Sequence, residues 1–367
     1  MDQLPRHGGD IYGDPPIKLD FSVNINPLGI PTEIRRALKQ NIHRLMCYPD
    51  PESRGVRGQL GAVLGVSPDM LLCGNGASEL ISLAVQAVSP HTALVPAPTF
   101  SGYQHALAAI GVRADHALLL EAEQFELRDS FLDIMERKRP DMVFLCRPNN
   151  PVGNCIPKKR MVQILERCEA WGSYLLADEC FLGFTEQWRE KSLMPLLKDY
   201  PHLLILNALT KTYALPGLRM GFLMCGDADL RNRMKALQPE WSVSVPAQIA
   251  GLTQVSPAYM RKTRELLRRE RKFLTGALQA LGFRVYPGEA NYLFFTEEQE
   301  RGEGDPLRYD EALRKQGILI RNCSNFYGLR PGFYRIAVRK RRENRILVEA
   351  LKGVKGHVHG TPSPVGY

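Results

Sequence analysis

The eight cysteines of this chain, at positions 47, 73, 146, 155, 168, 180, 225 and 323, include no C-x-x-C pair. Neither a disulfide framework nor a zinc site is indicated, and since most of these thiols fall inside apolar segments they read as buried and free. No apolar run approaches the length of a membrane-spanning helix. The first residues, MDQLPRHGGD, lack the apolar core of a signal peptide, so a cytoplasmic protein is the expectation. There is no internal repeat, and the 31 glycines and 26 prolines are scattered as loop residues rather than gathered in low-complexity tracts. No P-loop is present, and GNGASE at 74–79 falls short of the full G-x-G-x-x-G pattern, which leaves a dinucleotide fold unsupported. His357 and His359 stand in KGHVHGTPSPVGY, which reads as a solvated tail, not a metal site.

A net charge of +9 is present, with much of the excess in RKTRELLRRERK (261–272) and RKRREN (339–344). In the first run Leu266, Leu267, Phe273, Leu274, Ala277, Leu278 and Leu281 share one helical stripe, with the basic residues opposite. That is the pattern of a long helix with a solvated face; no nucleic-acid motif accompanies it. A length of 367 residues exceeds what one compact core usually holds. Apolar runs at 69–73, 92–100, 141–146, 172–179, 202–209 and 218–225 alternate with helical patterns such as Met161, Ile164, Leu165, Cys168 and Trp171. The expected class is α/β, with a mostly parallel sheet covered by helices on both faces. After about residue 260 the pattern changes to a smaller α+β unit. The expected division is 1–45 as a segment packing with the small unit, 46–260 as the large domain, 261–350 as the small domain and 351–367 as a disordered tail.

In an open parallel sheet, ligands bind beyond the carboxyl ends of the strands, and the polar residues here gather at such ends. DMLLC is followed by Gly76, Ala77 and Ser78 at a helix start, where backbone N–H groups favour an anion. DMVFLC leads into Asn149 and Asn150 of PNNPVG, GSYLLA into Asp178-Glu179, and HLLILNAL into Thr210-Lys211. Arg219, pinned by Pro216 and Gly217, stands eight positions beyond the lysine. Each feature alone reads as a turn or a solvated end. Pyridoxal phosphate asks for the whole set: an amine for its aldehyde, an anion hole, a carboxylate for the ring nitrogen, a donor to the phenolic oxygen and an aromatic face. A lysine in a dry pocket beside Arg219 should also lose its proton below the usual value of about 10.4.

From about residue 7 to about residue 350 the chain resembles fold-type-I pyridoxal-phosphate enzymes of the class I/II aminotransferase family. The resemblance implies that Lys211 in TKTYALPGLR holds the cofactor covalently and that Arg219 holds its phosphate with donors from Gly76, Ala77 and Ser78. It implies that Asp178 pairs with the ring nitrogen, that Asn150 donates to the ring hydroxyl and that Phe100 in APTFSGY stacks on the ring. Tyr48 in CYPDP resembles a tyrosine that reaches a neighbouring subunit's cofactor, which implies a homodimer with shared sites. Arg335 in FYRIAVR matches the arginine for a substrate carboxylate. Two positions depart from the family pattern: Ala208 replaces a phosphate-binding hydroxyl, and Phe181 replaces a tyrosine bonded to the ring oxygen.

HGGD (7–10), FSVNINPLG (21–29), CYPDP, GNGASE, DECFLGF (178–184), LTKTYALPGLRMG (209–221) and PGEANYLFF (287–295) are similar to the threonine-phosphate decarboxylase family of cobalamin biosynthesis. This narrower likeness implies decarboxylation of L-threonine O-3-phosphate to (R)-1-amino-2-propanol O-2-phosphate. The alternative is a histidinol-phosphate-type aminotransferase using 2-oxoglutarate. Both act on phosphorylated amines, so further substrate contacts are expected from Arg321 in ILIRNCSNF, His7 and Asn24. How substrate phosphate and carboxylate divide between Arg321 and Arg335 stays open at this point. A third class, a basic binding module that has kept the fold, is disfavoured by the absence of any appended DNA-binding unit.

Overall fold

The structure, a computed structural model, describes residues 7–12, 14–297 and 308–359. Strand β1 (Leu19–Asp20) precedes a seven-stranded sheet made of β2 (Leu71–Asn75), β3 (Ala93–Ala97), β4 (Asp115–Leu118), β5 (Met142–Cys146), β6 (Tyr174–Asp178), β7 (Leu203–Ala208) and β8 (Met220–Cys225). Their spatial order is β2-β8-β7-β6-β5-β3-β4. Only β8 runs against its neighbours; β3, β4, β5, β6 and β7 pair in parallel.

The alternation of side chains along β7 shows how two cores form. Leu203 and Ile205 join one apolar cluster, and Leu204, Leu206 and Ala208 join the other. The helices Arg54–Leu64, Asp129–Lys138, Lys158–Trp171 and Val245–Leu252 cover the first face. Gly76–Val88, Gly102–Ala109 and Ala228–Leu237 cover the second. Both faces are dry, which is why the central strands read as continuous apolar runs. The edge strand β4 was not legible, because DHAL carries two polar residues and buries only one side chain fully.

The smaller unit is an antiparallel sheet of β9 (Phe283–Val285), β10 (Tyr292–Glu297), β12 (Arg321–Asn322) and β13 (Phe333–Ala337), in the order β12-β13-β10-β9. β1 pairs in parallel with β11 (Ile318–Leu319). The helix Pro257–Ala280 starts with Ser256 capping the Ala258 N–H and buries Leu267, Leu274 and Leu278. Glu270 lies in the same stripe, fully buried, and its carboxylate accepts from Arg341 at 2.9 Å and Asn344 at 3.1 Å. The two basic runs of the sequence therefore meet an internal acid.

Two expectations about the ends are corrected. The segment 1–45 does not pack with the small unit as a whole. Residues 19–21 do so, with Phe21 N–H donating to Leu319 O, but the helix Thr32–Gln40 inserts Ile34 into the large core. Residues 351–359 are not a loose tail either: the final helix runs Arg341–His359, and Leu351 and Val354 are buried against the small sheet's cluster. The remainder of that expected tail, 360–367, lies outside the described residues.

Candidate active site

The carboxyl ends of β5, β6 and β7 and the reversed start of β8 open into one cavity of about 280 Å³. Lys211, Asp178, Asn150, Phe100, Ala77, Ser78 and Arg219 line it from the large unit. Arg321, Arg335, Asn24 and His7 line it from the other side. Gly76 lies just beneath Arg219, outside the lining. Tyr48 is far more open, 79% exposed, and its ring packs on Trp241 at 4.8 Å instead of facing this cavity.

Lys211 is carried on a single helical turn, Leu209–Thr212, that follows β7 directly. Burial pushes its amine down to about 8, aided by the cations of Arg335 and Arg219. Asp178, at the end of β6, is 6% exposed. Its Oδ2 accepts from the Tyr103 hydroxyl at 2.7 Å and its Oδ1 from the Cys180 N–H at 3.0 Å. Burial raises its proton affinity, and these donors together with Lys211 oppose the rise. It makes no ion pair among the described residues, so a buried anionic oxygen waits for a cation. The adjacent Glu179 points the other way and is paired with Arg147 at 3.2 Å.

At the anion end, the helix Gly76–Val88 begins where Arg219 folds over it. The first N–H groups of a helix have no acceptor within it; the Asn75 N–H just before them is taken by Glu79 Oε2 at 2.7 Å. The closeness of β8 to this turn depends on two glycines. A Cβ on Gly76, whose φ is +77°, would meet Arg219 Nη2 at 2.5 Å. A Cβ on Gly221 would lie 2.6 Å from the Gly76 carbonyl carbon and 2.7 Å from the Ala77 nitrogen.

At the other end, Arg321 and Arg335 are direct cross-strand partners in the β12–β13 pair. Both are buried, at 5% and 6% exposure. Arg335 donates to Asn150 Oδ1 and, at 2.6 Å, to Ser22 O, while its Nε has no partner and it makes no ion pair among the described residues. Because Arg335 occupies the oxygen of Asn150, the amide NH2 of that asparagine is left as the donor. Arg321 donates to Asn322 O and to Asn325 Oδ1 at 2.7 Å and lies over the Phe326 ring. Burial lowers its proton affinity to about 10, with Arg335 adding to the effect. Asn24 is 2% exposed and its Oδ1 is also unpaired. The His7 ring stands 5.9 Å from that of Phe100.

Sequence reasoning missed two residues. Tyr103, three positions after Phe100, has apolar helix spacing and reads as core. Asn26 holds the lysine turn: its N–H donates to Lys211 O at 3.1 Å and its Nδ2 to Thr212 O at 2.8 Å and Thr263 Oγ1 at 3.0 Å. It stood within FSVNINPLG, but nothing local distinguishes it from Asn24. Among the cysteines, Cys47 is exposed and Cys155 half-buried, against the expectation of burial.

A doubly covered, mostly parallel sheet with a lysine, a buried carboxylate and an anion-binding helix start at its carboxyl edge defines a fold-type-I pyridoxal-phosphate enzyme. The chain belongs to the aminotransferase class I and II family, which it matches over residues 16–351. It is 37% identical over 360 residues to a threonine-phosphate decarboxylase of Salmonella typhimurium, covering 95% of this chain and 96% of the relative. It is 32% identical over 364 residues to an adenosylcobalamin biosynthesis bifunctional protein of Leptospira interrogans, covering 96% of this chain but 41% of that protein. The solved histidinol-phosphate aminotransferase of Clostridium acetobutylicum superposes with a TM-score of 0.84 at 30% identity, over 92% of this chain and 99% of the other.

Pyridoxal phosphate is the cofactor of this family, and the cavity fits it. The buried carboxylate of Asp178, which has no salt-bridge partner among the described residues, suits a protonated ring nitrogen, and the helix start beside Arg219 suits a phosphate. Gly221→Ala tests the second half of that fit. The forced displacement of Gly76 is expected to destabilise the protein by about 1–3 kcal/mol and to weaken cofactor retention. Thermal unfolding and the cofactor absorbance left after dialysis measure the two effects; a variant that retains cofactor like the parent would refute the close-packing argument.

Proposed function

We propose that this chain decarboxylates L-threonine O-3-phosphate to (R)-1-amino-2-propanol O-2-phosphate, the aminopropanol precursor for cobalamin. The observation that carries the reading is the pair of buried guanidiniums at opposed positions, Arg321 and Arg335, on the wall facing Lys211. Like charges placed directly opposite each other oppose folding. A substrate with two anionic groups offsets that repulsion, and a phosphorylated α-amino acid carries both. The Salmonella and Leptospira relatives support the same substrate and pathway.

When bound, the cofactor supplies an aldehyde for the substrate amine and a ring that accepts the electron pair of the bond broken at Cα. In this reading Lys211 tethers it, Asp178 keeps its ring nitrogen charged, Asn150 donates to its hydroxyl and Phe100 covers its face. Arg219, Ala77, Ser78 and the Gly76 turn take its phosphate. Ala208 offers no hydroxyl there, so the backbone donors and Arg219 carry that load. Arg335, with its unpaired Nε, takes the substrate carboxylate; Arg321, His7 and Asn24 take the phosphate end. Guanidinium forks suit both anions because they bind oxygens two at a time. Lys211 is the only lysine lining the cavity among the described residues, and with a proton affinity near 8 it is suited to return a proton to the α-carbon.

The working unit in this reading is a homodimer. Ile42, Leu45, Met46 and Tyr48 are large apolar side chains more than half exposed, and Trp241, 45% exposed, packs on Tyr48. A second copy of this chain would cover them and receive Tyr48 in its own cavity. The free thiols among the described residues support a reducing, cytoplasmic setting, and no described helix is long and apolar enough to cross a membrane.

The test is to incubate holoprotein with L-threonine O-3-phosphate, with and without 2-oxoglutarate. Carbon dioxide and an amino-alcohol phosphate are expected in both arms. Product that forms only with 2-oxoglutarate, or only from histidinol phosphate, would assign the chain to the aminotransferases instead.

A further inference from the structure

Tyr103 is buried completely, in the helix Gly102–Ala109, and none of the roles assigned above uses it. Its ring stacks on Phe144 at 5.2 Å and meets Phe100 edge-on at 5.5 Å. Its hydroxyl lies 2.7 Å from Asp178 Oδ2. One side chain thus touches both the residue assigned to the cofactor's face and the residue assigned to its nitrogen.

We propose that Tyr103 is a positioning residue that acts on the cofactor through Asp178, its hydroxyl holding that carboxylate as an oriented anion for a protonated ring nitrogen. The inference rests on the pyridoxal-phosphate reading of the cavity and adds a residue to it. The groups facing Asp178 are Tyr103, Cys146, Cys180, Lys211 and Tyr292. Cys146 directs its thiol at Pro148 O, 3.2 Å away, and Cys180 gives its N–H to Oδ1 and adds its thiol, a weak donor, to the same carboxylate. Tyr103 is therefore the hydroxyl donor to Oδ2. Burial and the neighbouring carboxylate keep its phenol protonated well above the ordinary range, so the hydroxyl remains a donor across working pH. A hydrogen bond to the charged form favours that form. Its loss would leave Asp178 with only the N–H and the weakly donating thiol of Cys180 in a dry site, where a proton is taken up more readily.

The test compares two cofactors in apoprotein: pyridoxal phosphate and its 1-deaza analogue, which has carbon in place of the ring nitrogen. Tyr103→Phe keeps the ring contacts and removes only the hydroxyl. Its affinity for pyridoxal phosphate is expected to fall by roughly 10- to 100-fold, the weight of one hydrogen bond to a charged group, while affinity for the analogue changes little. Tyr103→His, which returns an N–H donor, should recover most of the discrimination. Equal losses for both cofactors in both variants would make Tyr103 a packing residue and overturn the proposal. Wild-type protein that binds both cofactors equally would remove the Asp178 role, and that of Tyr103 with it.

Discussion

Replacing Lys211 with alanine is expected to lower turnover by on the order of 10⁴-fold or more, because in the proposed function one substitution removes both the covalent tether and the proton carrier. Borohydride reduction of wild-type holoprotein should fix the cofactor to the peptide carrying Lys211, and the variant should hold cofactor only by its phosphate and ring contacts. A label on another residue would remove the assignment. The low proton affinity of this amine has a pH signature. It is pushed to about 8 by burial and by Arg335 and Arg219, from an ordinary value of 10.5. Between those two values the unfolded lysine keeps a proton that the folded one has released. The unfolded state then binds more protons, so apoprotein stability should gain as pH rises through this window. Cofactor capture by apoprotein should rise along the same limb with a midpoint near 8. A midpoint near 10 would show that the cavity does not act on the amine.

Glu179→Ala is expected to cost about 3–5 kcal/mol of folding stability, since it leaves a buried guanidinium without its counter-charge. Arg147 and Glu179 are 0% and 2% exposed. Around them Arg147 donates to Ile156 O at 2.9 Å and Lys191 O at 3.2 Å, and Glu179 accepts from Ser192 Oγ at 2.6 Å and Leu193 N at 3.0 Å. The pair ties the loop after β5, which presents Asn150, to the segment that directly follows Asp178 at the end of β6. Denaturant unfolding of the variant should show a lower midpoint at an unchanged slope. The double replacement Arg147→Met/Glu179→Leu, which removes both charges, should fall much less; a double variant as unstable as the single would show that the orphan charge is not the cause.

These neighbouring carboxylates also show what a sequence can carry. DE at the end of an apolar run gave no sign that one acid faces a cavity and the other an arginine; that follows from the two-residue alternation of a strand, read against a known inside. Strand ends were legible because each apolar run stops at a polar residue, and the lysine, aspartate and asparagine all stand there. Tyr103 was not legible, since its hydroxyl finds its acceptor 75 residues away. Nor was the facing of Arg321 and Arg335, because the segment between two antiparallel strands does not fix their register. Asn26 failed for the same reason, its partners lying 186 and 237 positions onward.

The reversal of β8 has a consequence for assembly. A strand that runs backwards begins at the rim where its neighbours finish, so the chain leaves Lys211 and returns at Arg219 after only eight positions. Loop-closure entropy rises by only about 0.6 kcal/mol for each doubling of the segment, but more than a hundred residues separate Lys211 from Arg335. Lys211 and Arg219, the residues that would hold the cofactor's aldehyde and phosphate in the proposed function, thus belong to one short, local hairpin of low contact order, the kind of element that closes quickly. The residues proposed to recognise the substrate depend on chain ends meeting late, so capacity to grip the cofactor should appear earlier along folding than capacity to choose what it acts on.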